Sequence, residues 1–256
     1  MAKPKSFEEF YYSKTNDICN IELVVDYANE NDGDYTPYKG KMRCPECHKA
    51  ELFLVRRTSE RRAHLKKKPS SDHVNCSYIY DYASKTTIQK YVKSLSFNQI
   101  QDKLDSIMHM LFKTKKQESN VSRNNNTSRK EENPMLIPDV KKDVIELKSL
   151  RRKRLSSWID ESDGTDLYLF YGEVKLEVVE KEIFNKQGEK YSYYLLKVWT
   201  LNKLGEWKYR TQIYRGKNRD KVETDKIYQI AMIGNLDFER KWWQINLINQ
   251  SAIRFQ

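Results

Sequence analysis

Leu167-Tyr-Leu-Phe-Tyr-Gly-Glu-Val-Lys-Leu-Glu-Val-Val-Glu-Lys181 decides the fold of the last third of the chain. Val174, Leu176 and Val178 alternate with Glu173, Lys175 and Glu177, the period of two that turns one face of a strand to a core and the other to water. Four more strands read the same way: Tyr191 to Leu201, Trp207 to Tyr214, Lys226 to Leu236 and Lys241 to Ile248. Turns at Asn185-Lys-Gln-Gly188 and Asn202-Lys-Leu-Gly205, and a longer connection from Gly216 to Asp225, separate them. Five strands within residues 165–256 predict a small β-barrel of Greek-key form.

Alternation sorts the inside of this barrel from the outside. Leu196 and Val198 on the second strand, Trp207, Tyr209 and Ile213 on the third, and Trp243, Ile245 and Leu247 on the fifth are expected inward. Tyr193, Lys197, Trp199, Lys208, Arg210 and Trp242 are expected outward. The pattern, with its long first strand, Gly172 within it and Asp225-Lys-Ile-Tyr-Gln-Ile230 opening the fourth, resembles the oligonucleotide/oligosaccharide-binding (OB) fold over roughly Asp166 to Gln256. The resemblance implies binding of single strands on the face of the second and third strands. Rings stack on bases for about 1 to 3 kcal/mol each while cations follow the backbone, so those six residues form the expected face.

Upstream, residues 139–164 read as a charged helix or connector carrying Arg151, Arg152 and Arg154, candidate phosphate contacts. Residues 115–138, poor in apolar side chains and rich in Ser, Asn, Lys and Arg, read as a disordered basic linker and a domain boundary. Residues 1–114 then form a zinc-ribbon module with packed helices, which makes the whole an α+β protein. The helices are expected at Thr86 to Lys113, where Ile88, Tyr91, Val92 and Leu95, then Ile100, Leu104, Ile107, Met108 and Leu111, keep helical spacing. Ile18 to Val25 reads as an apolar strand holding Cys19 as a buried thiol.

The ribbon rests on Cys44-Pro-Glu-Cys47 and His73-Val-Asn-Cys76, two short turns that together offer four ligands of the kind structural Zn²⁺ takes in a tetrahedron. Glu51 to Arg57 and Arg61 to Lys68 read as a hairpin about Ser59 that returns the chain to the first turn. That pairing puts His64 opposite Leu54, seven residues past Cys47 and over about 20 Å along the strand, so His73 is the better fourth ligand and His64 the alternative. Four protein ligands close the shell, which points to structural rather than catalytic zinc.

Cys44-Pro-Glu-Cys47, Ala50-Glu-Leu52, Arg62-Ala-His-Leu65, Ser71-Asp-His73 and Cys76 resemble the zinc-finger-like N-terminal region of the competence protein CoiA family. The chain departs from that family's second histidine at Ala63-His-Leu-Lys-Lys67, which also favours His73 over His64. The resemblance implies a nuclease-like domain, for which Asp166, Glu173 and Lys175 form a candidate D…ExK set holding a divalent ion.

A net charge of +11 over 256 residues favours a polyanionic partner. The leading reading is a zinc-containing nucleic-acid-binding protein, with single-stranded DNA favoured. A metal-dependent nuclease or nuclease subunit is the second reading, and a subunit docking other proteins of a DNA-processing complex is the third. No apolar stretch reaches membrane-spanning length and the first residues lack the apolar core of a signal peptide, so no membrane partner and a cytoplasmic location are expected.

Overall fold

A computed structural model describes residues 5–112, 133–141, 144–184, 187–239 and 243–256. The chain divides into two compact units, Met1–Asp81 and Tyr82–Gln256. Strand takes 42% of the described residues and helix 18%, so the class is mostly β and the α+β expectation is overturned.

The first unit is a set of short elements. β1 (Ser6–Phe7), β2 (Glu9–Tyr12) and β3 (Asp17–Asn20) lead into α1 (Glu22–Glu30), followed by β4 (Met42–Arg43), β5 (Leu52–Val55) and β6 (His64–Lys67). They pair as two three-stranded sheets, β1-β6-β5 and β3-β2-β4. The strand expected at Ile18 to Val25 stops at Asn20, whose side chain accepts from the Glu22 amide at 2.9 Å and opens α1. Phe7, Phe10, Val24, Met42, Leu52 and Leu65 fill a core that also takes in Cys44 and Cys76, with Cys19 packed at its margin.

The second unit begins with α2 (Lys85–Ser94), capped by Ser84 accepting from the Thr87 amide at 3.1 Å, and α3 (Phe97–Phe112). After them come β7 (Leu136–Lys141), β8 (Val144–Ser149), β9 (Arg152–Arg154), β10 (Leu167–Phe184), β11 (Lys190–Leu201), β12 (Trp207–Gly216), β13 (Ile227–Asp237), β14 (Gln244–Leu247) and β15 (Ile253–Phe255). The large sheet runs β12-β11-β10-β13-β14, with β9 added in parallel to β10 and β15 antiparallel to β13. This curled seven-stranded half-barrel replaces the five-stranded OB-like barrel expected from alternation. Its two ends approach through Thr211, whose hydroxyl donates to the Trp243 carbonyl at 3.3 Å.

β10 changes character along its length, and its sequence shows why. Leu167 to Tyr171 is apolar without interruption because both faces are covered. Tyr168 and Phe170 face the core inside the curl with Leu196, Val198, Ile213 and Met232. Leu167 and Leu169 face the other way, onto Ile88, Val92, Leu104, Ile107 and Met108. The helices expected to pack on the ribbon therefore form, but their apolar stripes are spent on the back of β10 and β13. Beyond Gly172 the strand outruns its back cover, as exposed Glu173 shows, and with the start of β11 it ends as a two-stranded arm where Phe184 is 71% exposed.

The charged-helix expectation fails here. Residues 139–164 contain no α-helix among those described; Pro138 and the β-branched Val140, Val144 and Ile145 build the β7–β8 hairpin instead. The basic run becomes strand β9, so its cations split between faces, and Lys153 is buried in an ion pair with Asp163 at 2.7 Å. The expected linker falls largely outside the described residues. Its final portion belongs to the second unit, where Met135 and Ile137 are fully buried beside the helices, and the units divide at Asp81 rather than within 115–138.

Candidate metal centre and aromatic face

Cys44 follows β4 directly, and the next residues form a tight knuckle. The His48 amide donates to the Cys44 carbonyl at 3.0 Å, the Cys44 amide to the Ala50 carbonyl at 2.7 Å, and His48 takes a left-handed φ of 53°. The β5–β6 hairpin then returns the chain: the Lys68 amide donates to the Glu51 carbonyl and the Glu51 amide to Ser71 Oγ, both at 2.8 Å. This delivers His73 and Cys76 to the knuckle.

The ligand atoms of Cys44, Cys47, His73 and Cys76 all lie within 4.8 Å of one another, a group close enough to hold a metal ion. The Cys44 and Cys76 sulfurs are 3.7 Å apart, and Cys47 Sγ is 3.5 Å from His73 Nδ1. A tetrahedron with Zn–S of about 2.3 Å and Zn–N of about 2.0–2.1 Å requires sulfurs about 3.8 Å apart and sulfur to nitrogen about 3.6 Å. The donor geometry therefore fits a tetrahedral thiolate–imidazole site, and 3.7 Å is far too long for a disulfide. Phe7 and Tyr78, in contact with each other at 4.5 Å, lie beside the His73 ring at centroid distances of 6.0 and 5.8 Å.

The charges of the cluster make the same demand. Burial pushes the Cys44 thiol up to about 12, and hydrogen bonding with Cys44 and Cys47 pushes Cys76 higher still. Cys47 moves the opposite way, because Cys44 and then Cys76 donate to its sulfur. Burial and thiol–thiol contact thus oppose three thiolates side by side, a cost that a bound cation would offset.

Glu46, inside the first turn, locks the two turns together. Its carboxylate accepts from the Ser77 amide at 2.5 Å and the Ser77 hydroxyl at 2.6 Å, immediately after Cys76. His64 is not in the group. The hairpin pairs His64 with Val55, one residue from the expected register, and buries it with Nδ1 against the Arg62 carbonyl at 3.1 Å. Its Nε2 has no partner among the described residues, and burial lowers its pKa.

No family model, curated protein or solved structure matches this chain. Its reading therefore rests on its own geometry.

The outer face of β11 and β12 is the second concentration of chemistry. A register shift between Val198 and Trp199 marks a β-bulge, with Arg210 as the extra residue. Before it, Val198 pairs Thr211 and Leu196 pairs Ile213, all facing the core; after it, Trp199 pairs Tyr209 and Leu201 pairs Trp207. The bulge therefore turns Trp207 and Tyr209 outward, reversing their expected placement. Tyr193, Lys197 and Trp199 share that outer face with Trp207, Tyr209 and Tyr214, and Tyr191 continues it onto the arm. Tyr193 and Tyr214 stand 5.4 Å apart by ring centroid, and Trp199 meets Tyr209 edge-on at 5.7 Å. Lys175 lies over the Trp207 ring at 5.5 Å and Lys197 pairs with Glu177 at 3.1 Å.

Other candidates separate from this face. Lys208 pairs across from Thr200 on the opposite parity and bonds Glu206 at 3.1 Å. Arg210 is drawn back to the chain, donating to the carbonyls of Leu155, at 2.7 Å, and Ser157, with its guanidinium over Trp243. Trp242 lies outside the described residues. Arg151 bonds Asp166 at 3.0 Å between the rings of Tyr82 and Tyr168, while Arg152 and Arg154 remain partly exposed on β9.

The nuclease set does not assemble. Asp166 precedes β10 and Glu173 lies within it, about 23 Å along seven residues of extended chain. Asp166 is held by Arg151, and Lys175 by Asp225 at 2.8 Å. Tyr191, Trp207, Tyr209 and Tyr214 were not among the expected residues; the signal in the sequence was aromatic density, and strict alternation had turned Trp207 and Tyr209 inward.

Proposed function

We propose that the chain is a nucleic-acid-binding protein that takes single-stranded DNA on the outer face of β11 and β12, with Zn²⁺ in the Cys44, Cys47, His73, Cys76 site as a structural ion. The observation that carries the reading is the gathering of Tyr191, Tyr193, Trp199, Trp207, Tyr209 and Tyr214 on one side of two adjacent strands, bordered by Lys175 and Lys197. Large rings on a sheet face normally serve a core, yet Tyr209 and Tyr214 are 42% and 52% exposed. Rings presented this way supply stacking surfaces for unpaired bases, and the net charge of +11 supplies attraction to phosphate. The zinc orders the first unit and leaves no open position for substrate, because four protein ligands complete its shell.

The test is a salt-dependent binding titration with a fluorescent single strand. Trp199→Ala and Tyr209→Ala should each weaken binding by about 1 to 3 kcal/mol per base stacked. Affinity that does not fall with rising salt would overturn the reading and assign the face to a protein partner.

A further inference from the structure

We propose that the β5–β6 hairpin of the first unit is a second nucleic-acid site, one that grips the phosphate backbone of a duplex, so that the preferred substrate is DNA with both a double-stranded and a single-stranded part. This deepens the reading above and rests on it for the single-stranded half.

Residues 51–68 contain seven Lys and Arg against two Glu, so this one hairpin carries a net +5 of the chain's +11. Four of the cations crowd the tip as Arg56-Arg57-Thr-Ser-Glu-Arg61-Arg62. The tip is an ordered turn: the Thr58 amide donates to the Arg61 carbonyl at 2.9 Å and the Arg61 amide to Thr58 Oγ1 at 3.1 Å. Residues 56–61 are all exposed, and Arg57 and Arg61 flank the turn with no side-chain hydrogen bond or ion pair among the described residues. Arg56 is anchored on the Gly33 carbonyl at 2.5 Å, which steadies the base of the tip.

What the tip lacks is equally informative. Between Phe53 and His64 there is no aromatic residue, and His64 is buried, so the tip offers no stacking platform. A surface of guanidinium forks without rings offers bidentate contacts to phosphate and none of the stacking that unpaired bases take. Duplex DNA presents one charge per about 1.7 Å of axis, twice the density of either strand, and a two-stranded ribbon has the dimensions of a groove element. The tip therefore suits duplex, while the aromatic face of β11 and β12 requires unpaired bases.

The test uses the full zinc-loaded chain and three labelled DNAs: a blunt duplex, a single strand, and a duplex with a single-stranded tail. Arg57→Gln with Arg61→Gln should weaken blunt-duplex binding at least tenfold and reduce its log–log salt slope by about 2, at roughly 0.9 per phosphate contact. Single-strand affinity should stay within twofold. Lys14→Gln with Lys85→Gln, the same charge loss at exposed positions elsewhere, should leave the duplex within twofold. Arg57→Lys with Arg61→Lys should restore the slope, and zinc content reports that each variant retains its fold. The wild-type chain should prefer the tailed duplex at least tenfold over either simple DNA. Duplex binding unchanged in the Gln pair, or lost equally in the lysine control, overturns the hairpin site. If Trp199→Ala spares the single strand while the Gln pair loses the duplex, the aromatic-face reading falls and the hairpin site stands. If the wild type binds none of the three DNAs, both fall.

Discussion

The two units hold themselves together by different means. The first has strands of two to four residues and one modest core, in which Cys44 and Cys76 count among the buried residues. The second is organised on an 18-residue strand with apolar packing on both sides of its first half. A unit of such short strands has few ladder hydrogen bonds to hold its register, so a metal staple would add most there, whereas a long two-sided strand carries its own packing. A four-ligand cluster within a core and a long two-sided strand thus organise different units of one chain.

The sharpest way to break that contrast is to remove the metal. Chelation, or Cys76→Ser, should abolish hydrogen-exchange protection in residues 5–81, because a structural zinc contributes about 10–16 kcal/mol of apparent binding free energy at neutral pH. Residues 167–176 should keep theirs; loss in both units would end the distinction. The converse perturbation is Leu104→Ala, which should lower the stability of the second unit by about 2–5 kcal/mol in denaturant melts and leave zinc content unchanged. Glu46→Gln should weaken zinc binding by about 10- to 100-fold in a competition titration, since it loosens the clamp on Ser77 without removing a ligand. The smallest effect concerns His64. Its folded pKa is depressed by burial, so its neutral form contributes stability above the ordinary value of 6.5 that is lost as pH falls below it. His64→Leu should flatten that acid limb in the first unit at constant zinc content.

Short-range chemistry was the most legible part of the sequence. The ligands fall in two turns whose spacing alone suggests a tetrahedron, and the residue count along the hairpin separates His73 from His64. The five main strands of the second unit were also readable from period-two alternation, because one face of each meets a core. Partnership between elements was not readable. The stripe Ile88, Val92, Leu104, Ile107 announces a buried helix face but not what buries it, and the answer lay in Leu167 and Leu169, the other parity of a run read for one face only. A single extra residue at Arg210 inverted Trp207 and Tyr209, and nothing local in Tyr209-Arg-Thr211 announces a bulge. Arg151 to Arg154 read as a helix through charge density, whereas Lys153 has a buried counterion ten residues away in Asp163.

β10 also has a consequence for the order in which the chain becomes a protein. It is hydrogen-bonded to β9, β11 and β13, and its pairing of Leu167 with Asn235 joins residues far apart in sequence. β11 can zip onto β10 as a local hairpin, but the helices find no complete floor until β13 arrives after most of the unit has been synthesised. The sheet of the second unit thus closes on long-range pairings, while the contacts of the first unit fall largely within its own 81 residues.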